Sequence, residues 1–130
     1  MKKSLKKFLI FIIGMILLCS AGCLSLTVSM KKSLSKIQNT DINMKNVSDG
    51  TYNGHSELGP VVVDVEVQVK NHRIKKVNLV RHDCGLGHPA DVIVDKMVEM
   101  NTYNVDAVSG ATVSSEIIKN AVNKALADGL

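Results

Sequence analysis

Val61-Val62-Val63-Asp64-Val65-Glu66-Val67-Gln68-Val69-Lys70 is the run that decides the fold class of this chain. Valine occupies every odd position, while four of the five even positions are polar or charged. Successive side chains of a strand point to opposite faces, so this period predicts a strand with one face buried and the other in water. Asn71-His72 follows as a two-residue turn, which requires His72 to accept positive φ where glycine is usual. Arg73 to His82 then reads as the returning strand, drawing its buried residues from Ile74, Val77, Leu79 and Val80, with a break of alternation at Lys75-Lys76 that predicts a bulge. Upstream, Asp49-Gly50 and Gly59-Pro60 are turn signals around a shorter strand, Thr51 to Glu57.

Helical spacing takes over after the strands. Asp83-Cys84-Gly85-Leu86-Gly87-His88 is a glycine-containing loop, and Pro89 suits the first turn of a helix. Ala90, Ile93, Val94, Met97 and Val98 recur at the spacing of a core-facing helical stripe through Met100. Ile117, Ile118, Ala121, Val122, Ala125 and Leu126 repeat that stripe in a second helix, which starts just after Thr112 and stops before Gly129. Strands first and helices after predict an α+β domain, a small antiparallel sheet with two helices packed on one face. Its core is valine, isoleucine and alanine: the chain has no tryptophan, and Tyr52 and Tyr103 are the only aromatic residues after Phe8 and Phe11. A domain of this size is near the lower limit for burying an adequate core, and a planar ligand would add apolar surface that the sequence does not supply.

The N-terminus reads as a membrane element. Four lysines within the first seven residues precede an uncharged run from Phe8 to Met30, closed by Lys31 and Lys32. At about 1.5 Å per helical residue the run is long enough for a hydrocarbon layer of about 30 Å, and the early lysines place the N-terminus inside and the remainder outside. A second reading stays open, in which Ser20-Ala21-Gly22-Cys23 is a processing site resembling a bacterial lipobox, with Cys23 lipidated, although Ser20 stands where leucine is usual. Residues 1–30 are thus an anchor or lipoprotein signal, 31–48 a polar linker, and 49–130 the folded domain. All of these readings put the domain outside the cytoplasm, at the cell membrane.

Charge divides the same way. Residues 1–48 carry eight lysines against Asp41, whereas residues 49–130 carry eight basic and eleven acidic side chains. The basic balance of the whole chain belongs to its N-terminal segment, and the mildly acidic domain lacks the basic face that a nucleic-acid backbone selects. Cys84 is the single cysteine of the folded part, so no disulfide forms within the domain. His82, Asp83, Cys84 and His88 are close in sequence, but nothing elsewhere in the chain repeats a ligand-like spacing, and the group reads as a surface loop without a metal.

Chemistry concentrates in Asp106-Ala107-Val108-Ser109-Gly110-Ala111-Thr112-Val113-Ser114-Ser115, where four hydroxyls, a glycine and a carboxylate lead into the second helix. The plain reading is a helix start, with Thr112 or Ser114 as cap and Gly110 making the turn. The sharper one is a phosphoryl group at the helix N-terminus, held by the amides of residues about 113–116 and by the Ser114 and Ser115 hydroxyls and favoured by the helix dipole. The Glu116 carboxylate would compete with a free phosphate there, and less with a covalently held one.

The run from Asp106 to Thr112, with Ser114-Ser115, closely resembles the flavinylation motif of the FMN-binding domain family, found in the C subunit of the sodium-translocating NADH:quinone reductase and the G subunit of the Rnf complex. The resemblance extends over most of residues 49–130, including the Asp49-Gly50-Thr51-Tyr52 opening, and is strongest to small stand-alone members anchored outside the cytoplasm. It implies that an FMN transferase joins FMN through its phosphate to Thr112, with Ser109, Gly110, Ala111, Ser114, Ser115 and Asp106 forming the surrounding cofactor-binding segment. Thr112 has no base of its own, so activation would come from the transferase. Where larger relatives carry Glu-Thr-Pro-Gly before the first helix, this chain has His82-Asp83-Cys84-Gly85-Leu86-Gly87-His88, which leaves the residues over the flavin ring open. The implied function is a membrane-tethered electron carrier between a membrane reductase and a downstream acceptor. Two alternatives are a small FMN-dependent reductase acting on a diffusible substrate and an anchored interaction module without cofactor.

Overall fold

The valine run folds as read. The computed structural model describes residues 2–83 and 88–130, and within it strand β2 spans Val61–Lys70 with all five odd-numbered valines buried. It pairs antiparallel with β1 (Gly50–Leu58) on one side and with β3 (Arg73–Asp83) on the other, giving a three-stranded sheet in the order β1-β2-β3. Asn71 and His72 join β2 to β3 with φ of 54° and 57°. Two successive residues with positive φ are the geometry of the hairpin turn that matches strand twist.

Strand β3 carries two bulges. Gln68 faces Lys76 and Val69 faces Ile74, so Lys75 is the extra residue of the first, at the position predicted from the broken alternation. Asp64 faces Arg81 and Val65 faces Leu79, so Val80 is the extra residue of the second. Each bulge shifts the inward phase by one residue. The residues opposite the inward valines 69, 67, 65 and 63 are therefore Ile74, Val77, Leu79 and His82, and Val80, a candidate for burial from sequence, is 64% exposed.

The helices cover the valine face. A 3-10 turn, His88–Val92, takes up Pro89 and leads into α2 (Ile93–Met100), which lies against β3 and ends at Asn101 in the left-handed region, φ 53°. Helix α3 (Thr112–Ala127) lies across β1 and β2. Ile93, Met97, Ile117, Ile118, Val122 and Leu126 join the strand valines in one core with no measurable exposure of their own. Full burial of such side chains stabilises by about 1.5–3 kcal/mol each. Gly54 of β1 makes the close approach of α3 possible: a Cβ there would sit 1.9 Å from the Ala121 carbonyl oxygen.

The chain divides into two units, Met1–Lys32 and Ser33–Leu130. The first consists of most of helix α1 (Lys2–Leu34), on which Phe8, Leu9, Ile10, Phe11, Leu17 and Leu18 are exposed. Among the described residues no helix is long and apolar enough to cross a membrane. The second unit begins earlier than the sequence suggests. Residues 33–48, read as a linker, lie on the domain: Val47 is fully buried, Ile42 and Met44 pack on the core, and Asn123 of α3 takes both backbone groups of Thr40, its Oδ1 accepting from the Thr40 N–H at 2.9 Å and its Nδ2 donating to the carbonyl at 2.7 Å. Asn120 adds Nδ2 bonds to the Gln38 carbonyl at 3.2 Å and to Asn39 Oδ1 at 2.9 Å. A polar composition hid this strap, because its anchors are amide pairs rather than an apolar period.

Candidate functional site

Thr112 is the first residue of α3, and it is exposed. Ala111, at 6% exposure, occupies the N-cap position and makes no side-chain cap bond. Neither Thr112 nor Ser114 caps the helix, in contrast to the plain sequence reading. The first backbone bond into the helix runs from the Ser115 N–H to the Ala111 carbonyl at 3.0 Å, so the amides of residues 112–114 have no intrahelical acceptor. They carry the positive end of the helix dipole in the turn that bears Thr112.

The loop in front of the helix is held rigidly. The Ala111 N–H donates to the Val108 carbonyl at 3.0 Å, closing a turn with Gly110 at its third position and φ 81°. A positive φ at that position is the requirement of a type II turn and the reason for glycine. A Cβ at Gly110 would meet nothing within 4 Å, so the loop is open on that side. Ser115 clasps the loop from the helix: its fully buried hydroxyl donates to the Ala111 carbonyl at 2.8 Å and accepts from the Val108 N–H at 2.9 Å. Its hydroxyl therefore holds the turn instead of facing a phosphoryl group, and Ser114 is also buried, at 3%. Ser109, Gly110 and Asp106 are exposed around Thr112. Glu116, expected to compete for the helix start, has its carboxylate 3.1 Å from Lys119 Nζ.

The residues fit a phosphoester at Thr112: an exposed hydroxyl, uncapped amides beside it, and a loop whose outer side is open. Sequence reasoning named these residues, but it missed Ser115 as a clasp, since a hydroxyl that bonds back to the fourth residue before it looks the same in sequence as one that binds a ligand.

A second group of polar side chains lies at the same end of the domain. Helix α3 runs antiparallel to β1: Gly129 meets Tyr52, Ala121 meets Gly54, and Asn120 Oδ1 accepts from the Ser56 hydroxyl at 2.7 Å. Thr112, eight residues before Asn120, lies about 12 Å farther along the helix axis. That direction leads to the end of the sheet where Ser56, Val63 and His82 form one row across the three strands. His82, read as part of a surface loop, has a side chain only 5% exposed, because the second bulge turns it inward. Its Nδ1 is hydrogen-bonded to Asp91 Oδ1, and its buried Nε2 has no partner among the described residues. Asp83 pairs instead with Arg81, Nε to Oδ2 at 2.6 Å. Cys84, Gly85 and Gly87 lie outside the described residues.

A family model described as the FMN-binding domain matches residues 58–127. No curated protein matches the chain significantly. The matched span runs from the end of β1 to the last residue of α3 and includes the whole loop around Thr112.

Proposed function

The chain belongs to the FMN-binding domain family, and we propose that it carries FMN as a phosphoester on Thr112 and serves as a membrane-tethered electron carrier outside the cytoplasm. The observation that carries this reading is the exposed Thr112 hydroxyl at an uncapped helix N-terminus, beside a turn kept open at Gly110. Bound FMN would supply one- and two-electron redox chemistry.

The chain's own residues have separate tasks. Thr112 provides the oxygen that becomes the ester link, displacing adenosine monophosphate from a flavin dinucleotide donor held by the transferase as its own proton is lost. The amides of residues 112–114 stabilise the negative charge of the esterified phosphate, as free amides at helix starts do for anions. Ser115, through Val108 and Ala111, holds the hydroxyl-bearing loop in one shape, and Gly110 leaves the approach clear for an FMN transferase. Asp106, exposed at the start of the loop, is available to that enzyme for recognition. The exposed apolar side chains of α1, preceded by four lysines, favour a tether in the membrane with the domain on the far side. A membrane reductase would then deliver electrons and a downstream acceptor remove them.

Intact-mass analysis tests the attachment. The full chain co-produced with an FMN transferase gains the mass of one FMN esterified with loss of water. The gain survives denaturation and is absent from Thr112→Ala. An unmodified wild-type mass would rule out the covalent reading.

A further inference from the structure

We propose that His82, His88 and Asp91 form a binding site for a divalent transition-metal ion of the zinc type, separate from the Thr112 attachment site. One ligand atom from each of the three lies within 4.8 Å of the other two. A tetrahedral ion with bonds of about 2.0–2.2 Å holds its ligand atoms about 3.3–3.5 Å apart, so the hydrogen bond between His82 Nδ1 and Asp91 Oδ1 must open, with loss of its proton, while the wider spacings contract. That contraction falls on His88, which is 70% exposed and whose Nδ1 lies 3.8 Å from Asp91 Oδ2.

The convergence has structural causes. The bulge at Val80 turns His82 to the inner face, where it is held at the sheet end. The following 3-10 turn, His88–Val92, places His88 and Asp91 three residues apart, and side chains at that spacing eclipse in a 3-10 turn. The two imidazoles thus approach the two oxygens of one carboxylate, His82 at Oδ1 and His88 at Oδ2. Their rings meet edge-on, with centroids 5.9 Å apart and planes at 72°, rather than stacking. A simple ion pair accounts for His82 on Asp91 but not for a second imidazole brought to the other oxygen. No lysine or arginine pairs with Asp91 among the described residues, and Arg81, two residues before Asp83, is engaged with it. Two imidazole nitrogens and one carboxylate oxygen are a donor set suited to zinc, nickel or copper. Asp91, 46% exposed, and His88 leave the remaining coordination positions open to water.

The test uses the full chain, stripped with a chelator and dialysed to equilibrium against Zn²⁺ and, in parallel, Co²⁺. One ion per chain is expected, with visible d–d absorption for Co²⁺. His88→Ala and Asp91→Asn should each weaken binding at least tenfold, by removing a direct ligand. His88 is largely exposed and Asp91→Asn keeps an acceptor oxygen for His82 Nδ1, so thermal unfolding without metal should change little and will expose any variant that has misfolded. No bound ion, or equal retention in wild type and both folded variants, overturns the proposal. The FMN mass on Thr112 is followed in the same samples, so failure of the metal site and failure of the attachment reading are seen separately.

Discussion

The two ends of helix α3 treat polar groups in opposite ways. At the C-terminal half, Asn120 and Asn123 are 3% and 1% exposed, and their amides are bonded to Ser56 and to the strap at residues 38–40. At the N-terminal end, Thr112 is exposed and the helix start has no side-chain cap. A buried polar group must be partnered or it destabilises the fold, so the first end contributes stability and specificity of packing. The second end leaves unmade the bonds that a helix normally makes for itself, which is the condition for receiving a ligand. One helix thus separates holding the fold from presenting chemistry, with Asn120 and Asn123 about two to three turns beyond Thr112.

Substitutions along the helix and its neighbours sharpen that contrast. The largest effect is expected at Gly54→Ala, where the new methyl would collide with the Ala121 carbonyl at 1.9 Å. A loss of about 4 kcal/mol or more, seen as a collapsed denaturant midpoint, marks this as a steric failure of the closed end. Asn123→Ala removes both bonds to Thr40 and should cost about 2 kcal/mol, with hydrogen exchange at the Thr40 amide rising as the strap loosens. Gly110→Ala has free space around it but must hold φ 81°, so a loss of about 1–2 kcal/mol is expected from backbone strain alone. Thr112→Ala lies at the smallest end for stability, within about 0.5 kcal/mol of wild type by thermal melting, since no cap or core contact is removed. It should nevertheless abolish the FMN adduct completely. A Thr112→Ala variant that melted well below wild type would break the contrast, by showing that this end also holds the fold.

The elements with a local period were legible from the start. The β2 valines, the Asn71-His72 turn, the bulge at Lys75 and the two apolar helical stripes all depend on residues close together in the chain. Within the loop, the turn at Gly110 was legible too, because it follows from the composition of one short run. The roles of Ser115, His82 and residues 38–40 were not. Ser115 binds the loop only because the turn at Gly110 brings Val108 back over the helix. The strap depends on amide pairs between residues 83 positions apart, which no periodicity announces.

By itself, then, the sequence determined the α+β class, the antiparallel hairpin, the helical stripes and the family to which the loop from Asp106 to Ser115 points. Tertiary structure alone decided that His82 turns inward to meet Asp91 and His88, and that the polar segment after α1 joins the domain. The physical reason is that a hydrophobic period is written in neighbouring residues, whereas the phase shift at Val80 exists only once β3 is paired with β2. The partners of a buried polar group are likewise chosen by the packing that brings distant segments together.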